Sequence, residues 1–111
     1  MIWKGAVLSK PPYRKNLETQ LLQAHVKLRL AAKHGHGLVT ATLARHGSYE
    51  VRMYEPPHDE FLFWIELFDH NIQFSIDSYG RHVLEDAVVA ADDLIAQAKA
   101  CSEQLAAAQI A

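Results

Sequence analysis

The sequence has only one cysteine, Cys101, among its 111 residues. A single cysteine cannot form a disulfide within the chain, and its simplest interpretation is a small apolar side chain in a reducing compartment. The sequence also lacks any apolar stretch near the eighteen residues that a membrane span requires, and its N-terminal residues form no apolar run of signal-peptide length. These absences predict a soluble, cytoplasmic protein that does not enter a membrane.

The short motifs that usually identify an enzyme are missing as well. The sequence contains no GxSxG, HExxH or CxxC motif and no glycine-rich phosphate loop. The stretch Gly35-His36-Gly37 is too short for a dinucleotide-binding fingerprint, and it follows a predicted helix where that motif requires a strand. An enzyme would need catalytic side chains scattered along the chain, so we expect a non-catalytic protein and predict no cofactor.

The charged residues are unevenly distributed along the chain. Nine of the eleven Lys and Arg lie in residues 1–53, and eleven of the thirteen Asp and Glu lie in residues 54–111. The two halves therefore carry about +7 and −9. Such a split can indicate a contact with a polyanion, but the two halves of one small domain can also face each other. The length predicts a single domain over residues 1–111, with a core sufficient to fold without disulfides.

A nucleic-acid contact would involve the basic residues of the N-terminal half. The candidates are Lys10, Arg14, Lys15, Lys27 and Lys33, with the aromatic residues Trp3 and Tyr13 interleaved. Basic side chains bind phosphates and aromatic side chains stack on bases. The sequence pI of about 6.4 argues against this interpretation, because nucleic-acid-binding domains are usually strongly basic.

The first predicted helix runs from Asn16 to His34, where apolar residues recur at spacings of three and four. Asn16 is a plausible N-cap and Gly35 a C-terminal stop, while Pro12 is expected to break any regular structure before the helix. An alternation of apolar and polar residues over positions 26–30 would also fit a strand. A short strand is possible over residues 2–8.

The final third of the chain, from about Val83 onward, predicts a helix of some 27 residues with an apolar stripe. At about 1.5 Å per residue such a helix is roughly 40 Å long, whereas seven-residue strands are only about 23 Å long. Its last turns must therefore extend beyond the sheet. They are expected either to fray or to contact another surface, such as the first helix or a second copy of the chain.

Between the helices the apolar period changes from about 3.6 to 2, which predicts four strands. The first two are expected to join through a three-residue loop at Arg45-His46-Gly47, and the last two through a turn at Asp69-His70. Pairing Val51 with Ile65, and Ile65 with Phe74, places the apolar residues on one face. That predicted core face comprises Val39, Ala41, Leu43, Val51, Met53, Phe63, Ile65, Leu67, Ile72, Phe74 and Ile76.

These elements predict an α+β fold of order α-β-β-β-β-α, in which both helices pack on one face of a four-stranded antiparallel meander. The opposite face, called the outer face below, would carry Thr40, Thr42, Arg52, Tyr54, Leu62, Trp64, Glu66, Gln73 and Ser75. Within it Trp64, Leu62, Tyr54 and Arg52 form the candidate interface, because Trp, Tyr and Arg are enriched at protein interfaces. The alternative is that the N-terminal segment covers this face, with Trp3 packing on Trp64.

Seven histidines are many for this length, and five of them are spaced by twelve residues. In a meander, His34, His36, His58 and His82 would gather at one end of the sheet and form a candidate ligand or metal site. Neighbouring strands stand about 4.8 Å apart, so the first and fourth strands are separated by roughly 14 Å. The more general interpretation is therefore a set of turn residues.

The function that these features favour is a small non-catalytic binding or accessory protein that forms a homodimer and acts through protein contacts. A small-molecule or metal-binding protein that uses the histidine-rich end of the sheet is the alternative, and nucleic-acid binding is a further one.

Overall fold

Two helices and a four-stranded antiparallel sheet make up the computed structural model, which describes residues 12–35, 39–54 and 62–110. The elements are α1 (Pro12–Lys33), β1 (Thr40–His46), β2 (Tyr49–Tyr54), β3 (Phe63–Asp69), β4 (Phe74–Arg81) and α2 (Leu84–Ile110). The strands lie in the order β1-β2-β3-β4, so each pairs with its neighbour in sequence. This confirms the predicted α+β meander. The short strand considered for residues 2–8 lies outside the described residues.

Helix α1 begins four residues earlier than predicted. It starts at Pro12, so Asn16 lies within the helix and is not its N-cap. A proline suits the first helical turn, because its fixed φ is already helical and its missing N–H would have no partner there. At the other end Gly35 has a φ of 69° and donates its N–H to the carbonyl of Ala32 at 3.1 Å. The predicted glycine stop is therefore confirmed.

Helix α2 crosses the sheet diagonally. Near its beginning Asp93 accepts a hydrogen bond from the Tyr79 hydroxyl of β4, and farther along Ser102 lies against Gly47 of the β1–β2 turn. Its buried residues include Ala87, Ala91, Leu94 and Ala98, whereas residues 103–108 are all exposed. The predicted extension of the helix beyond the sheet is confirmed. Over its described residues, neither helix is apolar enough to cross a membrane.

The core lies between the sheet and the two helices. It combines Leu17, Leu21, Ala24 and Leu28 of α1 with the inner residues of the strands and the small residues of α2. The fully buried residues of the strands are Val51, Met53, Ile65 and Leu67, all of which the alternation placed on the core face. Alanines dominate the buried face of α2, so this long helix can approach the sheet closely.

The β1–β2 connection is shorter than predicted. His46 pairs with Tyr49, which leaves a two-residue loop of Gly47 and Ser48 in place of the expected three residues. Gly47 has a φ of 61°, and a glycine at the first position of a two-residue loop is what a type II′ turn requires. A bulge at Leu43 shifts the register within β1, between Thr42 and Ala44.

The predicted strand registers are wrong in detail. Val51 pairs with Leu67, two residues from the predicted Ile65, which keeps the same face inward. Ile65 pairs with Tyr79 rather than with Phe74, because four residues connect β3 and β4 in place of the expected two and a bulge at Ile76 shifts the pairing by one more residue. Gln73 closes that turn with a φ of 53° and donates its side-chain amide to the carbonyl of His70.

The predicted core positions in β4 are also wrong. Phe74 is 61% exposed, and Ile72 and Ile76 are exposed as well. Phe74 lies opposite Asp69 at the start of an edge strand, while α2 crosses toward the β1–β2 turn and leaves that corner uncovered. Ile76 forms a bulge that reverses the alternation of β4, so Asp77, Tyr79 and Arg81 take the inward positions.

Candidate functional site

The outer face of the sheet brings the predicted interface residues into one region. Arg52 pairs across the strands with Glu66, and the Tyr54 ring meets the Trp64 ring edge-on, with 5.9 Å between the ring centroids. Leu62 lies at the start of this region and is 47% exposed. Arg52, Tyr54 and Trp64 share the face opposite the helices, as the alternation predicted, and Leu62 directly precedes β3.

A carboxylate network that the sequence analysis missed lies beside them. Glu50 is only 5% exposed although it points away from the helices. One of its oxygens accepts a short hydrogen bond from the Thr42 hydroxyl, and the other lies 2.7 Å from Nε2 of His70. The guanidinium of Arg52 lies 3.5 Å from the same carboxylate. Three side chains from three chain segments therefore hold Glu50 in place.

Arg52 connects this network to the rest of the face. Its Nε donates to Glu66 at 2.7 Å, and its guanidinium carbon lies 4.1 Å from the centroid of the Phe68 ring. The Phe68 ring in turn meets the His70 ring edge-on at 5.0 Å. An arginine that stacks on an aromatic ring and binds carboxylates uses both its charge and its planar face. The outer face is therefore a connected assembly rather than a set of independent side chains.

The electrostatics of this assembly favour the charged carboxylate and the neutral phenol. Burial raises the pKa of Glu50, but hydrogen bonds from Thr42 and His70 and the charge of Arg52 outweigh it and hold the pKa below its ordinary value of 4.5. Burial and the nearby Glu66 carboxylate raise the pKa of Tyr54 to about 12. At neutral pH the face thus presents a protonated tyrosine beside two carboxylates that share the positive charge of Arg52.

The alternation of the strands contains the signal for this network. Glu50, Arg52 and Tyr54 occupy every second position of β2, and Trp64, Glu66 and Phe68 do the same in β3. Side chains two residues apart share a face. Opposite charges on neighbouring strands could therefore have been paired from the sequence. The contact of His70 with Glu50 could not have been predicted from the sequence, because the position of His70 depends on the four-residue turn and on the hydrogen bond from its N–H to the carbonyl of Ser48.

The predicted histidine site is only partly within the described residues. His34 and His82 are both exposed, at the end of α1 and directly after β4, while His36 and His58 lie outside the described residues. The two described histidines flank β1 and β4, the opposite edges of the sheet. Within the part of the chain that the structure describes, no three His, Cys, Asp or Glu side chains are grouped as metal ligands would be.

The predicted nucleic-acid residues lie on α1 where they are described. Lys15, Lys27 and Lys33 are exposed, whereas Lys10 and the side chain of Arg14 lie outside the described residues. Helix α1 packs against α2, whose first turn contains Glu85 and Asp86. The basic half and the acidic half of the chain therefore each contribute one helix to the same layer.

Comparisons of the chain with protein-family models, with curated proteins and with solved structures found no match.

Proposed function

We propose that this chain is a non-catalytic binding protein that forms a homodimer and contacts another protein through the outer face of its sheet. The observation that supports this proposal is the arrangement of layers. Both helices pack on one face of the sheet, and the other face carries an ordered cluster of Arg52, Tyr54, Trp64 and Phe68. Aromatic residues and arginine are the types that contribute most to binding at protein interfaces.

The ion-pair cluster supports a binding role because it makes the surface rigid. Glu50 and Glu66 are nearly buried, and both bind Arg52. Arg52 offsets part of the charge of these carboxylates, and Thr42 and His70 bond to Glu50, so the side chains are held in place before a partner docks. A surface whose side chains are fixed before binding loses less conformational entropy when the partner docks.

Exposed apolar residues elsewhere support the homodimer. The end of α2 extends beyond the sheet, and β4 exposes Phe74 and Ile76 along an edge of the sheet. Apolar side chains on an edge strand favour association with another chain.

Affinity capture from the source cells, with quantitative mass spectrometry, tests the binding role. The variant Leu62→Asp places a charge directly before β3, two positions from Trp64 in sequence, at a residue that is 47% exposed, so it should fold normally. Val26→Asp is the matched control, because Val26 is similarly exposed, at 56%, on α1. We expect proteins retained by the wild type to be lost with Leu62→Asp and kept with Val26→Asp.

The opposite pattern, loss with Val26→Asp alone, would move the binding surface to α1. Native mass spectrometry of the purified protein separates the binding role from the alternative one. A retained metal or small molecule that is lost on substitution of His36 or His58, but not of Leu62, would favour the histidine-rich end of the sheet.

A further inference from the structure

Strand β4 forms one edge of the sheet, and among the described strands it pairs with β3 alone. Such an edge presents backbone N–H and C=O groups to which another chain can add a strand. Proteins usually protect long edges with prolines or with a covering segment. Here β4 is eight residues long and contains no proline, and Val89 of α2, beside the edge, is 54% exposed.

We propose that the homodimer forms by antiparallel pairing of β4 with β4 of a second copy, centred on Tyr79. This inference rests on the homodimer of the proposed function and names the surface that forms it. The pairing joins two four-stranded sheets into one sheet of eight strands. A twofold axis perpendicular to the sheet keeps all helices on one side, so the two outer faces become one continuous surface.

The geometry of β4 restricts the possible registers. The bulge at Ile76 interrupts the strand on one side, and the strand ends at Arg81 on the other. The regular edge is therefore residues 77–81. Its residues Asp77, Tyr79 and Arg81 all point to the helix side, since they pair with Leu67, Ile65 and Phe63 of β3. Directly opposed residues of an antiparallel pair share a face, so these three must pair with one another.

Charge then selects one register. A pair centred on Asp77 opposes two aspartates, and a pair centred on Arg81 opposes two arginines, which is destabilising. Centring on Ser78 or on Gly80 places Tyr79 opposite one charged residue and leaves the other charge without a counterion. Centring on Tyr79 instead places Asp77 of each copy opposite Arg81 of the other, so symmetry gives two ion pairs.

Within the described part of the chain, neither Asp77 nor Arg81 takes part in an ion pair. The Asp77 carboxylate accepts a hydrogen bond from the Ser78 N–H at 2.9 Å, and Arg81 donates to the Gly80 carbonyl at 2.8 Å while its guanidinium lies over the Tyr79 ring at 4.8 Å. Pairing of the two edges exchanges these local hydrogen bonds for the strand ladder and the two ion pairs. A groove between β4 and α2 continues the surface beside them, lined by Tyr79, Arg81, Asp86, Val89, Ala90 and Asp93. A five-residue ladder is small, so this groove must supply much of the roughly 1,000 Å² that a stable interface needs.

Charge reversal tests the pairing. At a protein concentration of roughly tens of micromolar, light scattering coupled to size exclusion should give a mass twice the 12.5 kDa of one chain. Arg81→Glu and Asp77→Arg should each reduce this mass to that of one chain, because each opposes like charges. An equimolar mixture of the two variants should recover a dimer with one chain of each, which native mass spectrometry resolves. Lys99→Glu, at an exposed position of α2, is the matched control and should remain dimeric.

Disulfide trapping tests the register. In a Cys101→Ala background, Tyr79→Cys places a cysteine opposite its own copy, where Cβ atoms are about 5 Å apart, and oxidation should cross-link the dimer. Phe74→Cys is the control on the same strand. Although Phe74 is more exposed, this register puts it roughly 34 Å from its own copy at about 3.4 Å per residue, so it should stay uncross-linked.

A monomeric wild type would overturn this inference together with the homodimer of the proposed function. A dimer that survives both charge reversals, or that cross-links through Phe74→Cys but not Tyr79→Cys, would overturn the β4 pairing alone. Circular dichroism shows whether each charge variant folds. If a charge variant does not fold, the cross-linking of Tyr79→Cys compared with Phe74→Cys still tests the β4 pairing. Leu62→Asp should remain dimeric, so a loss of partner binding in this variant can be distinguished from a loss of the dimer.

Discussion

Glu50 shows how a charged residue can lie nearly buried on the face of a sheet opposite its helices. Its two oxygens bind Thr42, His70 and Arg52, and the ring of Phe68 stacks on the same arginine. A buried charge costs several kcal/mol unless hydrogen bonds and an opposite charge compensate it. At Glu50 both are present, so the buried carboxylate is stabilised and holds the neighbouring side chains of the face in place.

Glu50→Gln should make the free energy of unfolding less dependent on pH in the acid range. Because the pKa of Glu50 is lowered in the folded state, the carboxylate contributes stability fully above about pH 4.5, and this contribution is lost as the pH falls through the folded pKa. The variant should be about 1 to 3 kcal/mol less stable than the wild type near neutral pH. Urea unfolding, measured from neutral pH down to about pH 3, should show that the difference in free energy of unfolding between the variant and the wild type becomes smaller.

Glu103→Gln, at an exposed position of α2, is the control and should stay within about 0.5 kcal/mol of the wild type. A constant difference between Glu50→Gln and the wild type at every pH would contradict the proposed role of the charged carboxylate.

Ile65 and Phe74 should differ sharply in their contribution to stability. Ile65 is fully buried in β3, so Ile65→Ala should cost about 2 to 5 kcal/mol through lost transfer free energy and a cavity. Phe74 is 61% exposed, so Phe74→Ala should cost about 1 kcal/mol or less. Chemical denaturation of the two variants measures both values. Equal losses would mean that Phe74 is covered by a second copy or lies in the core.

At the scale of elements, the apolar periodicity was sufficient to predict both helices and all four strands. It was not sufficient to predict which residues of β4 are buried. A bulge at Ile76 and a four-residue turn ending at Gln73 each change the pairing, and neither has a strong signature in the residues themselves. The outer face was predictable in β2 and β3 because those strands keep a strict alternation, whereas the burial of Glu50 depends on residues brought together only by the fold.

The end of α2 should be dispensable for the fold of one chain. Residues 103–108 are exposed, so deleting residues 105–111 should change the free energy of unfolding by less than about 1 kcal/mol. The shortened chain should also keep the oligomeric state of the full chain, since the proposed interface lies on β4. Dissociation of the dimer on deletion would instead assign the interface to the end of α2.

At the scale of the whole molecule, the basic half and the acidic half of the chain each contribute one helix to the same layer. Helix α1 carries exposed Lys27 and Lys33 and packs against α2, whose first turn contains Glu85 and Asp86. If the two charge sets mainly compensate each other, the basic residues do not form an isolated surface for a polyanion. Changing both lysines to glutamate should then destabilise the fold modestly, by some tenths of a kcal/mol for each residue.

Duplex DNA binding is the measurement that decides between internal compensation and a nucleic-acid surface. With compensation, the affinity at about 150 mM salt should be no better than the weak non-specific level of about 10⁻⁴ to 10⁻⁶ M, and it should fall steeply as salt increases. The physical reason is that acidic residues close to Lys27 and Lys33 would repel phosphates. Tight, sequence-selective and salt-resistant binding of DNA or RNA would contradict this account, and its loss on reversal of Lys27 and Lys33 would locate the surface on α1.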